Sequence, residues 1–270
     1  MSQFAPISIS AHNPSPMTGR GNNTYLIAAG SDAALIDAGV GHPLHLADID
    51  RELRARRARL GRVLVTHGHA DHASGAPLLA GVYPGAQFAK YPWPAEDSKY
   101  AVAWRWIDEG EEIRTGGEAV TALRTPGHSP DHVAFWHEPS RTIFSGDLVT
   151  AGTSVMIHAS RGGNLIDYMA SLERLLSLQP RILLPAHGDS PEDPAALLKG
   201  YLEHRKARER QVIAALGKGH TTVQAIADSI YDGLDSALLA AARENVRAHL
   251  DKLKAERRAT DEDDGWRPCE

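Results

Sequence analysis

The sequence predicts a layered α/β domain followed by a small helical appendage, and three observations carry that reading. Up to about residue 190, short β-like apolar runs alternate with helical stretches, the pattern of a layered α/β architecture. Ser190–Pro194, with two prolines and two acids, then interrupts the alternation as a linker. Beyond it the pattern is almost wholly helical. The expected boundaries are 1–194 for the first domain and 195–270 for the second, and 270 residues suit one large domain with a smaller one attached.

The elements follow in order. Thr24–Ala29 and Ala33–Asp37 flank Gly30-Ser31-Asp32 and read as a hairpin. Arg51–Arg62 holds six arginines, with Leu53 and Leu60 seven apart. It reads as a solvated helix face, with an anion-binding patch as the alternative. Arg62–Thr66 is a buried strand, and Pro77–Ala80 starts a helix limited by Gly81 and Pro84. Further strands are expected at Ala119–Thr125, His132–Trp136, Arg141–Ser145 and Arg181–Pro185. Leu165, Met169, Leu172 and Leu176 fall at helical spacing, Tyr168 packs in that helix, and Pro180 closes it.

In the appendage, a long helix over Ala195–Leu216 stops at Gly217 and Gly219. Thr221-Thr222-Val223-Gln224 is a capping-box pattern opening a short helix to about Tyr231. A third helix runs from about Ser236 to Glu256, with Leu239, Val246, Leu250 and Leu253 on one side. An Asp264-Gly265 turn before Trp266 suits a terminal hairpin, so the whole reads as a helix-turn-helix or winged helix.

Composition narrows the chemistry. With 42% hydrophobic and 23% charged residues the chain is ordinary globular protein, which excludes disorder and fibrous repeats. A net charge of −5 gives no global reason for tight nucleic-acid binding. The single cysteine, Cys269, excludes an intramolecular disulfide and a Cys-based zinc ribbon. Histidine is over-supplied at 14, so if a metal is bound it must be held by imidazole and carboxylate. The first nineteen residues lack Lys and Arg and fit no signal or transit peptide, and no run approaches the ~18 apolar residues of a span. A cytoplasmic protein with no membrane partner is expected.

The decisive string is Thr66-His67-Gly68-His69-Ala70-Asp71-His72, directly after a strand. Neither a helix nor a strand period points three imidazoles and a carboxylate one way, whereas a tight loop at a strand end does. Gly68 is expected to supply the unusual dihedrals such a loop needs. His128 in Thr125-Pro126-Gly127-His128, Asp147 in Ser145-Gly146-Asp147 and His187 in Pro185-Ala186-His187-Gly188 recur where strands stop, each beside a glycine. Gly127-His128-Ser129-Pro130-Asp131 fails as a nucleophile elbow at its last glycine, and no H-E-x-x-H helix is present.

His67-x-His69-x-Asp71-His72 followed by His128, Asp147 and His187 resembles the complete metal motif of the metallo-β-lactamase-fold hydrolases, over about residues 5–190. The resemblance implies a four-layer αββα sandwich with a dinuclear site at one edge. It implies that His67, His69 and His128 hold one metal, that Asp71, His72 and His187 hold the other, and that Asp147 bridges. The metals implied are two divalent ions, zinc first, with manganese or iron in some members. Two such ions about 3.5–4 Å apart share a hydroxide, which is the expected nucleophile. Asp71 and Asp147 are accordingly the carboxylates assigned to catalysis as well as to metal.

A narrower resemblance is to the β-lactamase-like protein 2 subfamily. It rests on Asn13-Pro14-Ser15, Gly21-Asn22-Asn23-Thr24-Tyr25-Leu26, Thr125–His132 and the helix carrying His204-Arg205 before a winged-helix tail. Its animal members are single-stranded RNA endoribonucleases, and its bacterial members are mostly generic or hydroxyacylglutathione-hydrolase-like hydrolases. Asp131 and His132 are candidates to orient His128 or to face substrate. His158 and Arg161, on the loop after Asp147, are candidates to close over substrate, Arg161 suiting an anion.

The expected function is hydrolysis of a thioester or lactone-type ester, or of an RNA phosphodiester. β-Lactam amide hydrolysis and a non-enzymatic winged-helix binding protein are the alternatives. A diiron flavoprotein reductase is disfavoured because His69 stands where that class has Glu. Residues 199–270 carry 13 basic and 13 acidic residues, a poor nucleic-acid footprint, although Lys199–Arg210 holds five basic against two acidic. The partners expected are a small-molecule ester or thioester, or single-stranded RNA, and a second copy of the chain in a homodimer.

Overall fold

A computed structural model of the chain describes residues 4–15, 18–115, 117–152, 154–262 and 265–269. Chain contacts divide it into two compact units. The first takes in Met1–Thr125, Asp131–Thr153 and Leu178–Leu197; the second takes in Pro126–Pro130, Ser154–Ser177 and Leu198–Glu270.

The first unit is built on two mixed sheets. One runs in the order β1 (Ile7–Ser10), β2 (Asn23–Ala29), β3 (Asp32–Ile36), β4 (Arg59–Leu64), β5 (Gln87–Lys90) and β6 (Trp104–Trp106). Its first three strands are antiparallel and the rest parallel, with Leu35 opposite Val63 and Val63 opposite Phe88. The second runs β7 (Glu112–Thr115), β8 (Glu118–Arg124), β9 (Val133–His137), β10 (Thr142–Gly146) and β11 (Ile182–Pro185), antiparallel except for the last pair.

Strand alternation sends residues of the first sheet to two cores. Tyr25, Ile27, Ile36 and Leu64 meet Val120, Ala122, Val133, Phe135 and Phe144 of the second sheet. On the opposite face Leu26, Leu35, Val63 and Phe88 pack with Ile49 and Leu53 of α1 (Pro43–Arg56) and Leu79 of α3 (Ala76–Val82). Between these helices lies the single turn α2 (Ala70–Ala73), and a second short turn, α4 (Pro94–Asp97), follows β5.

Helix α1 ends at Arg56, not at the end of the arginine run. Arg57 is left-handed at φ 53°, its N–H returns to Arg54 and Leu53, and β4 begins at Arg59. Arg51, Arg54, Arg56 and Arg59 pair with Asp48, Asp50, Glu52 and Asp32, so the run is a solvated, neutralised surface. Strands β1, β5, β6 and β7, of three or four residues each, escape the sequence pattern.

In the second unit, α5 (Leu165–Ser177), α6 (Pro194–Gly217, counted here from Leu198), α7 (Val223–Ile230) and α8 (Leu239–Ala255) precede the hairpin β12 (Ala259–Glu262) with β13 (Gly265–Pro268). Val212, Leu216, Ile226, Val246, Leu250, Leu253 and Trp266 form its core, a winged-helix arrangement. Helix α7 is capped by Thr222, whose hydroxyl accepts from Ala225 N, one residue later than the capping-box pattern implies. Of the expected Asp264-Gly265 turn, Asp264 lies outside the described residues. No helix among the described residues is long and apolar enough to cross a membrane.

The inter-sheet core sets the expected stability map. Leu64→Ala, which empties a fully buried site between the sheets, should cost about 2–5 kcal/mol in chemical denaturation. Leu44→Ala on α1, 56% exposed, should stay within about 0.5 kcal/mol.

Candidate metal centre

Both sheets deliver polar residues to the same end of the first unit. Asp37 follows β3, His67 follows β4 by way of Val65 and Thr66, Asp147 follows β10, and His187 follows β11. Asn22 precedes β2 and His132 precedes β9, strands that run the other way. Hydrogen bonds join the sheets here: Val133 N donates to Thr66 O at 2.8 Å, Asn23 N to Ala186 O at 2.7 Å, and Tyr25 Oη to Pro185 O at 2.7 Å.

Four predicted ligands converge closely. His72 Nε2 lies 3.5 Å from Asp71 Oδ2 and 3.3 Å from Asp147 Oδ1, and His187 Nε2 lies 3.4 and 3.3 Å from the same two oxygens. Ligand atoms placed tetrahedrally at about 2.0–2.2 Å from an ion stand roughly 3.3–3.6 Å apart, so this donor set fits a divalent metal. His67 Nε2 and His69 Nδ1 approach to 2.9 Å beside it. His128 lies in the second unit, where its Nδ1 meets Met156 O at 3.1 Å.

Asp37 is the member that sequence reasoning misses. It stands at φ 65°, and its Oδ1 accepts from Thr66 N at 2.7 Å and Thr66 Oγ1 at 3.0 Å. Its Oδ2 lies 2.8 Å from His72 Nδ1. A carboxylate there accepts from Nδ1–H, so a metal would be met by Nε2, the nitrogen that faces Asp71 and Asp147. The available signal is Asp37-Ala38-Gly39 at a strand end, the same kind that marks Asp147. Asn22, also missed, is buried and donates from Nδ2 to Asp71 Oδ2 at 3.0 Å.

Asp131 and His132 are wholly buried, and their bonds go to the frame of the site. Asp131 Oδ2 accepts from Gly68 N at 2.7 Å and from the buried Lys90 Nζ at 2.9 Å. Lys90 also bonds Asp97 and Tyr91 O, a triad with no local sequence signal. His132 Nδ1 donates to Thr125 Oγ1 at 2.9 Å while its Nε2 accepts from Asp147 N at 3.1 Å, fixing the loop that carries Asp147. Gly68 is not left-handed, contrary to expectation. Its missing Cβ gives clearance instead, since a methyl would stand 3.0 Å from Glu96 Cβ and 3.2 Å from Asp131 Oδ2. His158 and Arg161 lie in the second unit, His158 preceding the short 3-10 turn Ala159–Arg161 and Arg161 ending it, exposed.

The profile of the Metallo-beta-lactamase superfamily matches residues 17–187. The chain belongs to that superfamily. The profile of the Beta-lactamase associated winged helix domain matches residues 222–266. A beta-lactamase-like protein 2 homolog from Drosophila melanogaster is 31% identical over 263 residues, which cover 93% of this chain and 88% of its own. An atrochrysone carboxyl ACP thioesterase from a Cryptosporiopsis species is 32% identical over 254 residues, 87% of this chain and 76% of its own. The crystal structure of a metallo-β-lactamase family protein from Thermus thermophilus superposes with a TM-score of 0.79 at 18% identity, covering 98% of each chain, a likeness of fold. Membership of the superfamily, with a named thioesterase among the relatives, supports hydrolase activity.

Electrostatics of this metallo-β-lactamase-superfamily cluster follow from its crowding. Burial alone would lower His72 and His187, but the facing carboxylates prevail. Asp147, Asp71 and Asp37 raise His72 well above its ordinary value. Asp147, assisted by Asp71, raises His187 to about 9. Burial would likewise raise Asp71 and Asp147, yet the two imidazoles hold both below the usual carboxylate range. His187 therefore holds its proton at neutral pH, His72 is shifted in the same direction, and a cation bound at these nitrogens would displace their protons.

Metal affinity should accordingly rise with pH between 6 and about 9, with proton release on binding that calorimetry in buffers of different ionisation enthalpy will detect. An affinity flat from pH 6 to 8 would contradict the assignment of these two imidazoles. Asp37→Ala should weaken metal binding about 10–100-fold while leaving the ligand count unchanged, read by chelator competition.

Proposed function

We propose that the chain is a dinuclear metal-dependent hydrolase of a thioester or lactone-type ester. The observation that carries this reading is the Asp71, His72, Asp147 and His187 set, whose four facing nitrogen–oxygen separations match a tetrahedral ion. Those four residues would hold one ion, and the superfamily motif in the sequence assigns His67, His69 and His128 to the other, with Asp147 shared. Zinc is the first expectation, with manganese and iron as substitutes. When bound, the ions would supply an activated water and a Lewis acid, so no serine or cysteine nucleophile is needed.

The chain's own residues do the orienting. Asp37 fixes the tautomer of His72, and Asn22 occupies one lone pair of Asp71 Oδ2. His132 holds Asp147 through its backbone, and Asp131 holds the backbone between His67 and His69. These bonds hold the ligand atoms at coordination spacing.

An acyl thioester is favoured over RNA on the charges of the second unit. Lys252 and Arg258 pair with Glu209 and Glu256, Lys206 with Glu203, Lys254 with Asp261 and Arg267 with Glu262. Cations neutralised in this way offer little to a phosphate backbone. The thioesterase name of one relative points the same way.

The test is a side-by-side assay of S-lactoylglutathione, an acyl-homoserine lactone, single-stranded RNA and nitrocefin, on zinc- and manganese-loaded protein. Thioester or lactone turnover should dominate, and turnover of RNA alone would overturn the substrate class. Metal analysis should return close to two equivalents. Asp147→Ala should cost at least about a hundredfold in turnover, since partners one shell further out are already worth ~10–100-fold.

A further inference from the structure

Arg205 on α6 is 2% exposed, yet among the described residues no carboxylate pairs with it. Its guanidinium is spent on neutral groups instead. One terminal nitrogen donates to Val155 O, the other to Asn245 Oδ1 of α8 at 3.3 Å, and Nε has no partner. Its carbon stands 5.1 Å from the ring centroid of Tyr168, itself fully buried on α5. An ion so placed forfeits hydration without an opposite charge, which is a poor way to gain stability.

What it touches explains its place. Asn245 Oδ1 also accepts from Ile157 N at 3.4 Å, so Arg205 and Asn245 hold the residues on either side of Met156. Met156 O is the acceptor for His128 Nδ1 at 3.1 Å. A carbonyl can only accept, so Nδ1 of His128 carries the proton and Nε2 is left with its lone pair.

The loop bearing His128 is held from its other side by the helix that meets Arg205. Asn164 N donates to Gly127 O at 2.8 Å and Ser171 Oγ to Pro126 O at 2.7 Å. Gly127, at φ 129°, lies so close to α5 that a Cβ would stand 2.2 Å from Tyr168 N. All these groups belong to the second unit, so each contact lies within one compact body.

We propose that Arg205 is a positioning residue for His128, acting with Asn245 through the peptide groups around Met156. The helices before and within the winged-helix region thereby set the tautomer and aim of a metal ligand that lies far earlier in the chain. The inference rests on the reading of His128 as a ligand.

The test uses full-length protein, with zinc affinity measured by chelator competition, cobalt(II) absorption recorded on substituted protein, and thermal melting followed in parallel. His128→Ala should bind one equivalent fewer. Arg205→Met should keep both equivalents but bind one of them about 10–100-fold more weakly, with an altered cobalt spectrum. Arg205→Lys, which replaces the planar fork with a point donor, should recover only part of that loss. Asn245→Ala should shift the same equivalent in the same direction, and it decides the matter alone if Arg205→Met does not fold. Wild-type affinity and spectrum in both Arg205→Met and Asn245→Ala, beside a His128→Ala protein that has lost an equivalent, would overturn the inference. Retention of both equivalents by His128→Ala would instead overturn the ligand reading beneath it.

Discussion

The structure depends on keeping Asp71, His72, Asp147 and His187 within 3.5 Å of one another across their nitrogen–oxygen contacts. Two carboxylates and two imidazoles at that spacing do not gather of their own accord, since burial disfavours each charge and like groups repel. They stay because each is carried at the end of a strand or on the short turn α2, and because the strands belong to sheets packed through one inter-sheet core. Asp37 is the link between that core and the cluster. It is buried, left-handed and bonded three ways, so Thr66, His72 and the end of β3 cannot move independently.

A second buried charge group serves the neighbouring loop. Lys90, Asp97 and Asp131 are buried together, and Asp131 passes the connection to Gly68 N between the two loop histidines. Replacing such a network by apolar groups can leave stability unchanged, whereas removing one partner is costly. Its location therefore says more than its energy: it fixes the backbone of the residue whose neighbours must present imidazoles, and it does so without touching those imidazoles.

Much of this is legible in the sequence, and what is not has a physical cause. The histidine cluster, Asp147 and His187 can be found because strand-end loops bring ligands close in sequence or mark them with a glycine. Asp37 carries the same mark but lies alone, thirty residues before the cluster, so nothing local distinguishes it from a surface turn. Lys90 is a lone cation ending a short apolar run, and only tertiary pairing reveals its role. Gly68 reads as a conformational requirement when the actual constraint is clearance for Glu96 and Asp131. That constraint depends on side chains brought in from other elements, which no local pattern reports.

The later part of the chain shows the same dependence most plainly. Its helices have ordinary reasons to pack, with Val246, Leu250 and Leu253 of α8 joining Ile226 and Trp266 in a core that needs no charge. Several of its cations, Lys252, Lys254 and Arg258 among them, are matched by nearby acids, which weakens the field offered to an anionic polymer. Arg205 fits neither pattern. A methionine or leucine at that position would fill the space without stranding a guanidinium, and such exchanges often stabilise a fold. A residue that adds cost where an apolar one would serve is there for the geometry of its hydrogen bonds. Here those bonds run to both sides of the carbonyl that holds His128. The appendage that reads in the sequence as a separate module thus takes part in the body that carries a predicted ligand, and its contribution to the chemistry lies in its buried side rather than its surface.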